Sequence, residues 1–416
     1  MPDLDYAAFA RDLDAVRAEV EPAAAPLAHA HMRKQALVGR ISTILGYATS
    51  WIAPNPISAG LIALGISTRW TIVAHHTSHR GLDRIDGVPA AETSKAFAKG
   101  MRRWVDWFDW LDPEAWDYEH NKLHHYHTGE LADPDLVEEQ LERVRVSTKP
   151  MWVKKLVIMM YAFTWKFTYY APNIFVLSRR ERRRKAEKRP IDLAAVHTDV
   201  DLFRAWMPFN EDGAAFWKAV ALPYILLRFV AIPLLFLPIS AWAAMSVAAN
   251  TMMAELLTGL HTFIIVVPNH AGDDMHRFQH APSDRAEFYV RQVLSSVNFR
   301  TGGAVNDFMH GFLNYQIEHH LWPDLPPLAY QMAAPKVREI CARHGAPYIQ
   351  EGVFSRVGKL LDIMVGNTSM IASQTLSKAD REAAVASASV PAADQPWNTC
   401  DVTILPPLTT STSATT

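Results

Sequence analysis

The chain has 416 residues, of which 49% are hydrophobic, and its 41 Lys and Arg side chains nearly balance 43 Asp and Glu. This balance excludes the strongly basic surface that nucleic-acid binding requires, so we expect no nucleic-acid partner. Cys341 and Cys400 are too few for a disulfide scaffold or a thiolate metal site. Residues Met1–Val20 have a helical pattern without the charged start and apolar core of a signal peptide, so internal segments must direct any membrane insertion.

The first uncharged stretch, Ile41–Thr68, is interrupted by Pro54-Asn55-Pro56. Divided at this turn, it predicts a hairpin of two spans, Gln35–Ala53 and Asn55–Ala74, each near the lower length limit for crossing a bilayer. A single kinked span is the alternative.

The next apolar segment, Leu156–Tyr170, contains Lys166 and many aromatic residues, which favours a helix in the membrane interface over a span. Apolar residues then continue from 219 to 267, too far for one span, and Pro238 is the natural break. This pattern predicts a second hairpin with spans at Ala219–Leu237 and Ile239–Val267.

A basic run at Arg179–Arg189 lies between the interfacial segment and the second hairpin. It is either a solvated loop or a cytoplasmic anchor, since cytoplasmic loops of membrane proteins are enriched in Lys and Arg. The spans put an even number of crossings between the histidine-rich segments of the chain. We therefore expect these segments to lie on one side of the membrane, the cytoplasmic side.

The 18 histidines are unevenly distributed, and three clusters stand out. They are His75-His76-Thr77-Ser78-His79, His120-Asn121-Lys122-Leu123-His124-His125, and Gln316-Ile317-Glu318-His319-His320. Side chains four apart lie on one face of a helix, which pairs His75 with His79 and His120 with His124. One such pair is a common structural feature, whereas three clusters on one side of a membrane predict a metal site.

At least seven histidines suit two metal ions, because a structural zinc site needs four ligands and a catalytic zinc site three. Imidazole binds Zn, Cu, Fe and Ni alike, so the ligand type leaves the metal open. The repeated Glu-x-x-His pairs of soluble di-iron bundles are missing from the sequence.

The three clusters resemble the histidine boxes of membrane-bound fatty acid desaturases, HxxxH, HxxxHH and (H/Q)xxHH. Gly311–Pro323 is similar to the third box of the front-end acyl desaturases, in which Gln replaces the first His. Ala334-Pro335-Lys336-Val337 and His344-Gly345 continue the likeness, and Asn269-His270 resembles a pair that supplies a further ligand. The resemblance covers about Ser42 to Val353.

This resemblance implies an all-α membrane protein with about four transmembrane helices in two hairpins, and a cytoplasmic helical cap that holds two non-heme iron ions. The implied domain is residues 35–366, preceded by a cytoplasmic segment at 1–34 and followed by a disordered tail at 367–416. The implied iron ligands are His75, His79, His120, His124, His125, His270, His319 and His320. Gln316 is implied as a weak ligand, or as a group that acts through water or orients a ligand.

The sequence departs from the family pattern at two points. The first box has His76 where the family often has Asp, and the His-Pro-Gly-Gly heme motif of a fused cytochrome b5 domain is missing. The resemblance therefore implies that electrons come from a separate donor of the ferredoxin or cytochrome b5 type. The position of the new double bond stays open.

The remaining histidines have other assignments. His76 and His127 are either ligands or neighbours of ligands. We expect the others outside the spans to be exposed or ordinary surface residues: His29, His31, His197, His276, His280 and His344.

Ionisable groups within spans are usually functional or paired. Arg228 and Glu255 therefore predict an ion pair between neighbouring spans, or else Glu255 is a metal ligand or orients a ligand imidazole. His261 lies in the same span as Glu255. We expect four tryptophans before the second cluster to lie at the membrane interface rather than to line a substrate tunnel: Trp104, Trp107, Trp110 and Trp116.

No amino-acid side chain attacks an unactivated methylene C–H bond, so the implied reaction requires metal and O2. The resemblance implies desaturation of a fatty acyl lipid or acyl-CoA with O2 and external electrons. Hydroxylation of a fatty acyl, sphingolipid or carotenoid substrate by the same ligands is the alternative. A membrane metal transporter or sensor is the alternative from another class, and it predicts ligands near the middle of the spans.

Overall fold

The computed structural model describes residues 4–189 and 205–373, and within them nearly all regular secondary structure is helical. Three helices are long and apolar enough to cross a membrane: Pro56–Ser78, Glu211–Leu234 and Ala241–His270, here called the first, second and third spans. The prediction of an all-α membrane protein is confirmed. His197 and the part of the predicted tail beyond Ser373 lie outside the described residues.

The N-terminal helix runs without interruption over Tyr6–Ser50, a length of 45 residues. It begins at Asp5, whose carboxylate accepts a hydrogen bond from the Ala8 N–H, and it contains Pro22 and Pro26. The predicted boundary at residue 35, between a cytoplasmic segment and a span, falls within this one helix and stays a prediction. In the first part of the helix a buried apolar stripe that includes Phe9 and Leu13 packs against helix Pro327–His344.

The N-terminal helix and the first span form the predicted hairpin. They run antiparallel and approach closely at small residues, since a Cβ at Gly39 would lie 2.7 Å from Thr68 Cγ2 and one at Gly46 would lie 2.6 Å from Ile62 Cγ1. The alternative of one kinked span is wrong. In this hairpin the outer face of the N-terminal helix exposes Leu37, Val38, Ile41, Ile44 and Leu45. The Gly, Ser, Thr and Arg residues of this helix lower its hydropathy, and the helix is not among the three spans above.

The second and third spans form the second predicted hairpin, with Pro238 in the connection. The second span alternates α-helical and π-helical segments: Glu211–Phe216, Trp217–Ala221 (π), Leu222–Ile225, Leu226–Ala231 (π) and Ile232–Leu234. The third span is Ala241–Val266 with a 3₁₀ turn at Val267–His270, and Ser240 caps its start. The predicted ion pair joins the two spans, with 3.3 Å between Arg228 Nε and Glu255 Oε1.

Short helices between the first and second spans form one part of the cap. They are Ala90–Glu92 (3₁₀), Gly100–Arg102 (3₁₀), Arg103–Asp106, Pro113–Trp116, Asp117–His124 (π), His125–His127, Val137–Gln140, Glu142–Arg145, Met151–Ala162, Lys166–Tyr170 (π) and Ala171–Ala186. The first span itself contains Pro56–Ser67, Thr68–Ala74 (π) and His75–Ser78.

The chain after the third span forms the other part of the cap. Its helices are Arg285–Leu294, Ala304–Met309, Leu313–Tyr315 (3₁₀), Gln316–Leu321, Pro327–His344 and Val353–Val365. Two short parallel strand pairs join distant segments, His276–Phe278 with Ile371–Ser373 and Asn298–Phe299 with Gln350–Glu351.

The basic run is not a loop, since residues up to Ala186 belong to helix Ala171–Ala186. Its side chains are partly neutralised by carboxylates. Arg179 and Arg183 both lie within salt-bridge distance of Glu211 and Asp212, at the start of the second span.

Three of the four tryptophans are buried in the protein core instead of lying at a membrane interface: Trp107, Trp110 and Trp116. They pack with aromatic residues of the predicted interfacial segment. Lys166 of that segment is buried beside them and has two partners. Its ammonium donates to Asp109 Oδ2 at 2.7 Å and lies over the Trp70 ring. Because this pair is buried, removal of one partner would cost about 3–5 kcal/mol.

Candidate metal centre

The eight predicted ligands lie together in the cap, at the ends of the first and third spans. They fall into two groups of histidines, and a third group, His120, His124 and Asp135, overlaps both of them. Within each group the possible ligand atoms lie within 4.8 Å of one another. The five-histidine group is His75, His79, His120, His125 and His319, and the three-histidine group is His124, His270 and His320. The two groups are adjacent, since the His125 and His320 rings stack with centroids 4.2 Å apart.

Local helix geometry decides which histidine joins which group. The second cluster lies in a π-helical segment, Asp117–His124, where residues five apart share a face. His120 therefore joins the five-histidine group with His125, while His124 joins the other group. His120 and His124 nevertheless share a face, as predicted, since their rings stack with centroids 5.3 Å apart.

The third cluster serves both groups. His319 and His320 are consecutive residues of helix Gln316–Leu321, and their rings are nearly perpendicular at 89°. Consecutive side chains of a helix point in different directions, so one helical turn supplies an imidazole to each group.

Hydrogen bonds on the outer side of the cluster hold the rings of the three-histidine group. His124 Nδ1 lies 2.9 Å from Asp133 Oδ1, His270 Nδ1 lies 2.9 Å from the Ser295 carbonyl oxygen, and His320 Nδ1 lies 2.9 Å from Gln292 Oε1. Each acceptor favours a proton on Nδ1, which leaves the Nε2 atoms as the ones that can bind a metal.

Asp133 is well suited to this role. Burial raises the pKa of its carboxyl, but His124 and the backbone N–H groups of Gly129 and Asp135 outweigh burial and hold the pKa below its ordinary value. Asp133 is therefore a carboxylate at neutral pH and accepts the His124 Nδ1–H.

The inner side of the cluster is rich in unpaired nitrogen atoms. The buried Nε2 atoms of His79, His120, His125 and His320 have no hydrogen-bond partner among the residues that the structure describes. A buried polar atom without a partner is costly, and several that face one another are expected where a metal ion binds. The residues present thus fit a metal centre.

Electrostatics supports the same conclusion. Burial, together with the neighbouring imidazoles, holds the pKa values of His79, His120, His125, His319 and His320 well below the ordinary histidine value. These imidazoles are neutral at pH 7 and can act as ligands without first losing a proton.

A largely apolar cavity of about 340 Å³ adjoins both groups. His75, His120, His124 and His270 form part of its wall. The rest is mainly aliphatic and aromatic, with many aromatic rings from residues 161–170. Such a cavity can hold an apolar chain beside the histidines and keep bulk water away from them.

Comparison with known proteins identifies this arrangement. The family model for fatty acid desaturases matches residues 49–352, most of the chain. The chain belongs to the fatty acid desaturase family. The predicted resemblance is confirmed, and with it the prediction of an oxidoreductase that desaturates acyl chains.

Characterised relatives extend over large parts of this desaturase. A NADPH-dependent stearoyl-CoA 9-desaturase from Mycobacterium tuberculosis is 23% identical over 373 residues, 86% of this chain and 79% of the relative. An acyl-lipid (7-3)-desaturase from Rebecca salina is 29% identical over 321 residues, 73% of this chain and 60% of the relative. An sn-1 linoleoyl-lipid 6-desaturase from Arthrospira platensis is 22% identical over 269 residues, 61% of this chain and 66% of the relative.

Gln316 lies at the edge of the three-histidine group of the desaturase. Its Nε2 is 2.8 Å from His270 Nε2, and its buried Oε1 has no partner among the described residues. The amide also lines the apolar cavity. It is therefore positioned next to the metal centre, in keeping with either of its predicted roles.

Three other candidates lie outside both groups. His76 is buried with Nε2 3.3 Å from the Gly311 carbonyl oxygen, and His127 Nδ1 is 3.0 Å from Glu130. Glu255 accepts hydrogen bonds from Trp110 and Tyr224 in addition to its pairing with Arg228. Its partners among the described residues include no histidine, and its predicted role as a metal ligand or an orienting group stays a prediction.

The remaining histidines are distant from the centre or bound to other groups. His261 lies between Ser67 Oγ and the Met309 carbonyl oxygen, and His276 Nδ1 is 2.6 Å from Ser373 Oγ. His280 is exposed, as predicted, whereas His276 is half-buried in a short strand. The predicted surface residues His29, His31 and His344 have polar partners in Glu92, Gln35 and Asp12 respectively.

Sequence analysis missed the groups that orient the ligands, among them Asp133, Gln292 and the Ser295 carbonyl. Gln292 and Ser295 lie far from their histidine partners along the chain, and no spacing rule points to them. Asp133 is the exception. It stands nine positions after His124, and an acidic residue soon after a histidine cluster was a usable signal.

Proposed function

We propose that the desaturase holds two non-heme iron ions in the two histidine groups and uses O2 to introduce a double bond into a fatty acyl chain. The observation that carries this proposal is the juxtaposition of two adjacent imidazole groups, with unpaired inward nitrogens, and an apolar cavity. A single metal would leave one group unused, and a transporter would need its ligands near the middle of the spans, whereas these histidines lie at the ends of the spans and in the cap.

Iron fits the donor set and the chemistry. The groups offer imidazoles and no thiolate, and non-heme iron accepts such ligands. Bound iron would supply the reduction of O2 and the removal of two hydrogen atoms, which lies beyond the chemistry of any side chain.

The chain's own residues bind and align the substrate. Aromatic and aliphatic side chains of the cavity exclude water, and they restrict an extended acyl chain so that one pair of methylene groups lies beside the histidines. Asp133, Gln292 and the Ser295 carbonyl keep the ligand rings in a fixed orientation. The overall reaction consumes one acyl CH2–CH2 unit, O2, two electrons and two protons, and yields a double bond and two molecules of water.

The active site is proposed to face the cytoplasm, with a separate electron donor of the ferredoxin or cytochrome b5 type. In support, the first span ends at the histidines, the second begins at Glu211 beside the basic helix, and the third returns to the histidines. The cap and the basic helix thus lie at one end of the spans, and positively charged segments favour the cytoplasmic side.

The test is expression of the full chain in a host with a simple acyl profile, together with ferredoxin and its reductase or cytochrome b5 and its reductase. Lipid analysis by mass spectrometry should detect an acyl product two mass units lighter than its precursor. A product sixteen units heavier would replace desaturation by hydroxylation. No new product with either donor, from protein that contains no iron, would overturn the proposal.

A further inference from the structure

The apolar cavity next to the histidines reaches the protein surface at helix Met151–Ala162, here called the surface helix. Val157 of this helix lines the cavity although 54% of the residue is exposed. The other lining residues are buried or half-buried. The mouth of the cavity is therefore at Val157, with Tyr161 and Val144 beside it.

The surroundings of this mouth are apolar. The outer side of the surface helix exposes Met151, Trp152, Leu156, Val157, Met159 and Met160. Val266 and Val267, at the end of the third span, line the same cavity. The mouth thus opens beside the end of a membrane span, on a helix whose exposed face is suited to the apolar part of a bilayer.

In the part of the chain that the structure describes, the lining of the cavity lacks the cationic groups that would bind the phosphates of a CoA thioester. CoA carries several phosphates, which proteins bind with Lys and Arg. No Lys or Arg lines the cavity among the residues that the structure describes. Its ionisable lining groups other than tyrosines are histidines at the metal centre and Asp135, a carboxylic acid.

Three cationic groups near the mouth in sequence, Lys154, Lys155 and Arg145, have other partners, whereas Arg143 beside Val144 is exposed. Lys154 is buried and donates to the carbonyl oxygens of Arg145 and Val365. Lys155 Nζ lies 2.9 Å from Asp362 Oδ1, and Arg145 pairs with Glu138.

A basic pocket does exist, but it is not connected to this mouth. A second cavity of about 370 Å³ has Arg80, Lys99, Lys122, Arg182 and Lys185 in its wall. It shares no lining residue with the apolar cavity. Phosphates bound there would not be held at the Val157 opening.

From these contacts we infer that the acyl chain enters sideways from the bilayer while it is esterified in a membrane glycerolipid, and that the substrate is an acyl-lipid and not acyl-CoA. The inference rests on the proposed desaturation. The ester and headgroup stay at the membrane surface near the surface helix, and the acyl chain passes Val157 to reach the histidines.

Membranes that contain the full-length enzyme and its electron donor test this inference. The acyl chain identified by the expression experiment is supplied in deuterated form. In one arm it is esterified in phosphatidylglycerol and delivered by vesicle fusion. In the other it is supplied as its CoA thioester, and lysolipid is removed so that no acyl transfer to lipid occurs. We expect deuterated product on intact phosphatidylglycerol and none from the thioester. Product from the thioester alone overturns the inference and leaves the desaturase function intact, whereas no product from either overturns the function.

A pair of variants on the surface helix tests the position of the mouth. Val157→Asp places a charge on the path of the acyl chain and should lower desaturation by about tenfold or more. Met159→Asp is the control, because Met159 is 39% exposed on the same helix but does not line the cavity. Both variants should retain iron and membrane association. Equal activity of the two would exclude an entrance at Val157.

Discussion

The two histidine groups of the metal centre are built differently. The five-histidine group takes ligands from all three sequence clusters and needs no other side chain. The three-histidine group has one ligand from each of two clusters and a third from His270, and Gln316 lies at its edge. Fewer protein ligands leave more coordination positions open, so we expect the three-histidine group to hold its metal less tightly and to leave more room for O2.

The largest effect is expected in the five-histidine group. His125→Ala removes a ring that contacts His79 in its own group and stacks on His320 of the other. Product formation should fall on the order of 100-fold or more, since outer partners of ligands alone cost 10–100-fold. Acyl product and bound iron are measured together in membranes.

The matched control is His280→Ala, which removes an exposed imidazole that lies outside both groups. It should keep its full activity and iron. An active His125→Ala protein with normal iron content would remove His125 from the ligand set.

Loss of a ligand from the three-histidine group should show whether the two groups bind separate iron ions. His270→Ala takes away one of its three imidazoles and leaves the larger group complete. We expect bound iron to fall from about two ions to about one per chain, with loss of desaturation. Elemental analysis of purified protein tests this, and unchanged iron content would show that the groups are not separate sites.

A smaller effect is expected from the groups that orient the rings. Asp133→Asn keeps the size of the side chain but loses the charge that holds His124. Activity or iron affinity should fall by about 10–100-fold. Glu130→Gln is the matched control, because Glu130 contacts His127 in the same way and His127 lies outside both groups. If both variants have equal activity, Asp133 has no special role in orientation.

The smallest effect is expected at Gln316. Gln316→Ala should lower the rate of desaturation by a few-fold and by no more than about tenfold, without loss of iron from the five-histidine group. Gln316→His adds a fourth imidazole to the three-histidine group and should raise iron retention during dialysis against a chelator. Iron retention no better than that of the native protein would place Gln316 outside the coordination sphere.

Much of this architecture was predictable from local patterns. The histidine clusters and both hairpins are dense signals within short segments, and the likeness of the Gly311–Pro323 segment to a known box was specific. The division of ligands between two groups was not predictable by α-helical spacing. It depends on the π-helical segment Asp117–His124, in which residues five apart share a face.

Features that depend on tertiary contacts were not predictable from local patterns. A separate helix, Pro327–His344, covers the apolar stripe of the N-terminal helix. The arginines of the basic run pair with Glu211 and Asp212. In both cases the partner lies far away in the sequence.

The metal content of the purified full-length protein tests the central claim most directly. The two groups predict about two iron ions per chain in active desaturase, and loss and recovery of activity as iron is removed and restored. Full activity in protein with a single metal ion, or with zinc or copper in place of iron, would contradict the account.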